Sequence, residues 1–259
     1  MSTPADAAWL APIVIARGDL RVAFHWFHPA TDIDRIVAAH PDTDVHVWLT
    51  VPDVGGDRDA CIVTPWLSEP ELARRSRIQH PRALAEFLAG RRLIRSLVGA
   101  LVGVAPRDLA IIENAHGAPS LDPARHATAW RFNLSHTDGL LALAVARSRI
   151  GIDVEWTTRR GRTVELADRY FAPTEFAALR ALPEPQQRDR FFDLWTLKEA
   201  YIKARGMGLA IPLRDFAYTF GDRRIDLTVA AATRDVPDAS WRFLQAQVGT
   251  HHRLALAIS

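Results

Sequence analysis

The chain has 259 residues, 48% of them hydrophobic and 24% charged, enough to bury one large core or two fused smaller ones and still dissolve. Its formal net charge of +2 argues against a general nucleic-acid binder, which carries a stronger basic excess. Cys61 is the single cysteine, so the chain has no internal disulfide framework and no cysteine-based zinc site, and a reducing cytoplasm fits.

The apolar run Ala7–Ala16 follows Asp6, lacks a basic leader and contains Pro12, so it does not read as a signal peptide. No apolar stretch is long enough to span a membrane. Leu20–Phe27 fits an extra strand. Val45-His46-Val47-Trp48-Leu49 alternates as a strand does, and Ser68 before Glu69-Pro70-Glu71 caps a short helix. After a proline, Ala83–Leu101 is expected as a long helix. Strands follow around 109–113 and 139–146, with Phe132–Gly139 expected as a polar turn between two strands. The second half begins with the strand Gly151-Ile152-Asp153-Val154-Glu155. A short helix capped by Thr174 before Glu175 comes next, then a proline break and a long helix over Arg190–Arg205, with Gly206 as its C-terminal cap. Strands are expected at 216–220, 225–231 and 241–258.

This order repeats. Glu71, Pro81, Phe87, Leu93 and Val98 recur one constant step later as Glu175, Pro185, Phe191, Leu197 and Ile202. Arg107-Asp108-Leu109-Ala110 is echoed by Arg214-Asp215-Phe216-Ala217, Trp130-Arg131-Phe132 by Trp241-Arg242-Phe243, and Leu141–Val145 by Leu254–Ile258. Four matches in one order predict a duplicated half-domain. The expected fold is α+β: two similar halves about a pseudo-two-fold axis, each a small antiparallel-rich sheet with a long helix packed on it. The halves are residues 1–147 and 148–259, with 1–44 outside the repeat.

The chemistry gathers in three segments. On the strand Gly151–Trp156, alternation places Ile152, Val154 and Trp156 on a buried face and presents Asp153 and Glu155 together on the other. Paired carboxylates suit a hard cation such as Mg²⁺, which commonly takes one or two of them plus substrate phosphates; the bland alternative is a solvated strand face. The helix around Phe191–Lys203 is apolar almost all round yet carries Lys198, Glu199 and Lys203. An i,i+4 pair of Glu199 with Lys203 contributes only ~0.2–0.5 kcal/mol, too little to justify three charges there, so a metal and an anionic substrate are expected as their partners. In the third segment, Phe132-Asn133-Leu134-Ser135-His136, hydroxyl, imidazole and backbone groups can face a phosphate. Ser135 and His136 have no supporting acid or nucleophile elbow, so nucleophilic catalysis is not indicated.

Taken together, Gly117-x-Pro119, Phe132-Asn133-Leu134-Ser135-His136, Gly151-Ile152-Asp153-Val154-Glu155 and Trp195-x-x-Lys198-Glu199-Ala200-x-x-Lys203 resemble the 4′-phosphopantetheinyl transferase superfamily over about residues 45–220. The duplication resembles its surfactin-synthetase-activating, two-half monomeric type. The resemblance implies transfer of 4′-phosphopantetheine from coenzyme A to a serine of an apo acyl or peptidyl carrier protein, in the cytoplasm, with Mg²⁺ as cofactor. It implies Asp153, Glu155 and Glu199 as metal ligands, and Lys198 and Lys203 beside the pyrophosphate and reacting phosphate. Ser135 and His136 would contact coenzyme A phosphates, Gly117 and Pro119 the adenine, and Arg82 the 3′-phosphate, in a cleft between the halves. Ala118 stands where many relatives have lysine. Glu199 is the expected base for the carrier serine, with Glu155 second; Lys203 would stabilise or protonate the leaving phosphate. A basic surface for an acidic carrier can include Arg74, Arg75, Arg77, Arg91, Arg92 and Arg95. A non-catalytic coenzyme A or carrier-binding module, and an Mg²⁺-dependent phosphatase or nuclease, are the competing readings.

Overall fold

The computed structural model describes residues 14–53, 64–159, 161, 163–222, 224–230 and 240–259, with side chains from Gly18 onward except that of Leu209. Cys61, most of the apolar run Ala7–Ala16 and residue 231 of the expected strand 225–231 lie outside them. The chain divides into two compact units, one of residues 21–148 and one of residues 149–259 together with the N-terminal segment up to Leu20. This corrects the expected division, which gave the whole N-terminal extension to the first half. The first strand, β1 (Val14–Gly18), pairs antiparallel with a strand near the C-terminus.

The unit of residues 21–148 runs β2 (Val22–Trp26), α1 (Ile33–Ala38), β3 (Val45–Thr50), α2 (Glu69–Arg75), α3 (Pro81–Val102), β4 (Ile111–Glu113), β5 (Pro119–Leu121), β6 (Arg131–Thr137) and β7 (Leu140–Ala146). Its main sheet has the order β2-β3-β7-β6. β2 lies parallel to β3 and the other pairings are antiparallel. Every residue of β7 is buried. Trp48, Leu93, Ile94, Leu97, Phe132, Leu143 and Val145 form the core between sheet and α3. The segment expected as a polar turn is mostly strand β6. Phe132 and Leu134 alternate towards α3, and Asn133 and Ser135, also buried, towards the other face; only Asp138-Gly139 forms the turn.

In the other unit follow β8 (Ile150–Trp156), α4 (Thr163–Tyr170), α5 (Pro173–Arg180), α6 (Glu184–Arg205), β9 (Phe216–Phe220), β10 (Ile225–Val229), β11 (Arg242–Val248) and β12 (His252–Ile258). The main sheet, β1-β11-β12-β8, is antiparallel throughout. α6 begins six residues earlier than expected, with Pro185 inside its first turn, where a missing N–H costs nothing. The cap of α5 is Ala172, not Thr174: Pro173 opens the helix and Glu175 accepts the Ala172 N–H at 3.1 Å.

Within its own unit, each sheet carries the same core order, β3-β7-β6 in one and β8-β12-β11 in the other. The added strand joins opposite ends: β2 beside β3, β1 beside β11. Each unit also hides a similar ionic strut. In the first, Glu71 of α2 accepts Arg95 Nε of α3 at 2.5 Å, and Arg95 Nη1 donates to the carbonyls of Pro106 and Leu109 at 2.7 and 3.1 Å. In the second, Glu175 of α5 pairs with Lys198 of α6 at 2.7 Å, and Lys198 Nζ donates to the carbonyls of Leu213 and Phe216 at 2.7 and 2.6 Å. The carbonyl pairs flank equivalent 3₁₀ turns, Pro106–Asp108 and Leu213–Asp215. A short helix, a long helix and the following turn are thereby tied at one buried point in each unit. Arg95 is 2% exposed, so it leaves the expected basic surface.

Candidate active site

β8 and α6 build the acidic site by running alongside one another. Alternate residues of the strand share one face, and that face meets α6 at successively earlier helix positions. Gly151 packs on Ala200 and Ala204, Asp153 on Lys203, Glu155 on Trp195, and the Thr157 carbonyl on Arg188. A Cβ at Gly151 would lie 2.5 Å from Ala204 N and closer still to Ala200 O, which explains the glycine: the helix backbone touches the strand there. The acids therefore lie beneath a helix and not on a solvated strand face, and Asp153 is 5% exposed.

The charges at this face are crowded. Lys203 Nζ stands 2.6 Å from Asp153 Oδ1. Glu155 Oε1 accepts the Trp195 indole N–H at 3.1 Å, and Oε2 pairs with Arg159 Nη1 at 3.1 Å. Burial first, and then the Asp153 carboxylate, push Glu155 from the ordinary carboxyl value up to about 7, against Arg159, Trp195 and Lys203. Burial, then Asp153, push Glu199 to about 7 as well; Lys203 opposes this and Glu155 adds to it. Asp153, Glu155 and Glu199 thus share one field. Among the described residues no three acidic, histidine or cysteine side chains are gathered closely enough to form a ready-made metal cage. The donors nonetheless fit a hard cation: all are carboxylate oxygens, and burial followed by the Asp153 charge raises two of them to about 7, a cost that a bound cation would relieve.

Lys198 is not part of this group. Its side chain is 0% exposed, and its ammonium is enclosed by Glu175, two carbonyls and the rings of Phe216, Phe171 and Tyr218. The expected place beside the pyrophosphate is corrected to a place inside the fold. The charges of α6 also find partners in the chain, Lys198 in Glu175 and Lys203 in Asp153, where the sequence pointed to metal and substrate for all three.

Five further candidates lie in the unit of residues 21–148. Ser135 is 5% exposed, and His136 is exposed on the opposite face of β6, so the two do not point together. Arg82, in the first turn of α3, pairs with Glu86 at 3.0 Å and with Asp138 in the β6–β7 turn, which brings it to the end of β6 that carries His136. Gly117 sits in an exposed turn between β4 and β5 at φ 77. Asn114 Oδ1 orders that turn by accepting the N–H groups of His116 and Ala118 at 2.9 and 3.0 Å. Pro119 opens β5.

The description "4′-phosphopantetheinyl transferase superfamily" matches residues 149–258, the stretch that supplies β8 and α6. The 4′-phosphopantetheinyl transferase HetI of Nostoc is 38% identical over 168 residues, 64% of this chain and 70% of that protein. A Bacillus subtilis 4′-phosphopantetheinyl transferase is 32% identical over 178 residues, 68% of this chain and 75% of its own. The chain belongs to this superfamily. The transferase Sfp of Bacillus subtilis is also similar, 30% identical over 152 residues, 59% of this chain and 66% of that one, in keeping with the surfactin-synthetase-activating type.

In this phosphopantetheinyl transferase, sequence reasoning missed Arg159 and Arg188 and gave Trp195 no role. Arg188, Phe192, Trp195, Glu199 and Lys203 recur at steps of three and four, one stripe of α6. That stripe was readable, but reading it required knowing that β8 lies beneath it.

Proposed function

We propose that this enzyme transfers the 4′-phosphopantetheine group of coenzyme A to a serine hydroxyl of an apo carrier protein, releasing 3′,5′-ADP. The observation that carries this reading is the field shared by Asp153, Glu155 and Glu199, with Lys203 as the ammonium set against it. Asp153, Glu155 and Glu199 would hold Mg²⁺, which supplies neutralising charge on the pyrophosphate. The serine Oγ attacks the pantetheine-side phosphorus, the bond to the bridging oxygen breaks, and 3′,5′-ADP leaves. Glu199 accepts the serine proton, directly or through a water, and Asp153 and Glu155 then serve chiefly as the ligands. Glu155, its oxygens already engaged by Trp195 and Arg159, is the less mobile acid. Lys203 donates to phosphate oxygens as charge builds on the leaving group.

The proposed coenzyme A contacts outside this group are Arg82, Gly117, Pro119, Ser135 and His136. They rest on the resemblance, supported by Arg82 lying at the His136 end of β6 and by the exposed turn at Gly117. Ala118 carries no ammonium, so adenine recognition there falls to backbone and to the ring of Pro119. The duplicated-half reading is supported by the shared sheet order and by the two struts. The cysteine count supports a cytoplasmic setting, and two like units in one chain support a monomer. No helix among the described residues is long and apolar enough to cross a membrane.

The experiment is incubation with coenzyme A, Mg²⁺ and apo carrier, followed by intact-mass measurement of the carrier. A gain of one phosphopantetheine group with release of 3′,5′-ADP is expected. Coenzyme A binding with no gain would make the protein a binding module, and phosphate release without a carrier would make it a phosphatase.

A further inference from the structure

Glu155 and Glu199 have unlike surroundings. Both oxygens of Glu155 are engaged, Oε1 by the Trp195 indole N–H and Oε2 by Arg159. For Glu199 the described residues give field effects from Asp153, Lys203 and Glu155 and no hydrogen bond. The arginine on Glu155 is itself held. Arg188, on the same α6 stripe as Trp195, donates Nε to the Thr157 carbonyl at 2.8 Å and Nη2 to the Arg159 carbonyl. The guanidinium groups of Arg159 and Arg188 both lie over the Phe192 ring, 5.5 and 5.2 Å from its centre. The turn leaving β8 is therefore stapled to α6, and the staple aims the Arg159 side chain back at Glu155, four residues earlier. A long side chain loses rotamer freedom when it is fixed, and here the fixing precedes any ligand.

We infer that Arg159 is a positioning residue for Glu155, and that Arg188 acts through it by holding the turn. The inference rests on the transferase reading of the acidic site. Arg159 keeps the Glu155 carboxylate in one orientation beside Asp153, where two negative groups on one strand face would otherwise push apart. Its role is exerted through Glu155. Arg159→Gln should lower kcat about tenfold and leave KM for coenzyme A within about twofold, and Arg159→Lys, which retains the charge, should restore most of the loss. Arg188→Met should lose a similar amount. The double variant should be no worse than the worse single, because both changes cut one path.

A reading independent of turnover comes from the Trp195 indole N–H resonance, assigned by its loss in Trp195→Phe. It should shift and broaden in Arg159→Gln as Glu155 gains freedom. A Gln variant with unchanged kcat, or with kcat retained and KM raised, would overturn the inference; the second result would make Arg159 a substrate contact. Additive losses in the double variant would overturn the part given to Arg188. An unmoved indole signal would overturn the coupling to Glu155 whatever the kinetics. If the wild type failed to modify a carrier, the transferase reading would fall, and the indole signal would still decide whether Arg159 orders Glu155.

Discussion

Replacing Lys198 by methionine separates the two places this residue could occupy. A lysine beside the pyrophosphate would, when lost, weaken coenzyme A binding and spare the fold. The structure puts its ammonium 2.7 Å from Glu175, 2.7 Å from the Leu213 carbonyl and 2.6 Å from the Phe216 carbonyl, with no exposure. Burial lowers its proton affinity and Glu175 opposes that loss, so the pair holds its charge jointly. Removing one partner of a buried pair costs about 3–5 kcal/mol, because the other charge remains buried. At roughly 2–4 °C per kcal/mol for a chain of this size, Lys198→Met should lower the melting temperature by roughly 6–20 °C. At a temperature where the variant is folded, its dissociation constant for coenzyme A by calorimetry should stay within about threefold of wild type. Adding Glu175→Gln removes the stranded carboxylate and should recover part of the stability. A Lys198→Met protein that melts within about 2 °C of wild type but loses coenzyme A affinity tenfold would refute the placement.

Other consequences follow from the same geometry. Glu199→Gln should cut turnover by ~10²-fold or more, the range of a lost general base, with coenzyme A affinity within about threefold; stopped-flow or mass-based turnover decides it. Arg82→Ala should weaken coenzyme A about tenfold and dephospho-coenzyme A little, the low end for a charged hydrogen bond because Glu86 and Asp138 compete for that guanidinium; equal weakening of both ligands would end the 3′-phosphate assignment. His25 contacts His46 at 3.2 Å and lies near His40, and burial, then the charges of His46 and His40, lower it to about 4 from 6.5. The unfolded chain binds that proton more readily, so the stability this histidine allows is present above pH 6.5 and is lost as pH falls toward 4. His25→Phe should flatten that part of a urea-midpoint profile. In metal-free protein Glu155 and Glu199 act in the other sense. Their folded values of about 7 against 4.5 make their contribution greatest below pH 4.5 and lose it as pH rises through 7, so Glu199→Gln should shallow the decline between about pH 4.5 and 7.

What could be read from the sequence depended on whether a residue's partner was local. The repeat exposed both long helices and the strands β3, β8 and β7, because their periods are carried by the apolar residues themselves. It misjudged β6, where Asn133, Ser135 and His136 look like a loop. A strand accepts such residues when Phe132 and Leu134 carry the contact with α3 and the backbone pairs with β7 along its whole length. The start of α6 was missed because a proline reads as a stop, although in a first turn it is tolerated. β1 was assigned to the wrong unit because nothing in five residues of strand names the strand they pair with.

Lys198 shows the same limit at the site, and also the clue that was available. The motif places it beside Glu199, and neighbours in a helix point about 100° apart, so adjacency in sequence already argued against a common target. The repeat held the alternative: Glu71 and Glu175 are equivalent positions, and each must lie near a cation of its own long helix if both are buried. In the first unit that cation is Arg95; in the second it is Lys198, one step off strict equivalence. Both ammonium and guanidinium reach the carbonyls flanking the same 3₁₀ turn, so the geometry tolerates the exchange of side-chain length for a shift of one residue. Glu199 and Lys203 remain on the stripe that meets β8, Lys203 four residues along the helix from Glu199. A single helix thus divides its charges by face: Lys198 fastens the fold through Glu175, and Glu199 and Lys203, on another face, meet the acids of β8.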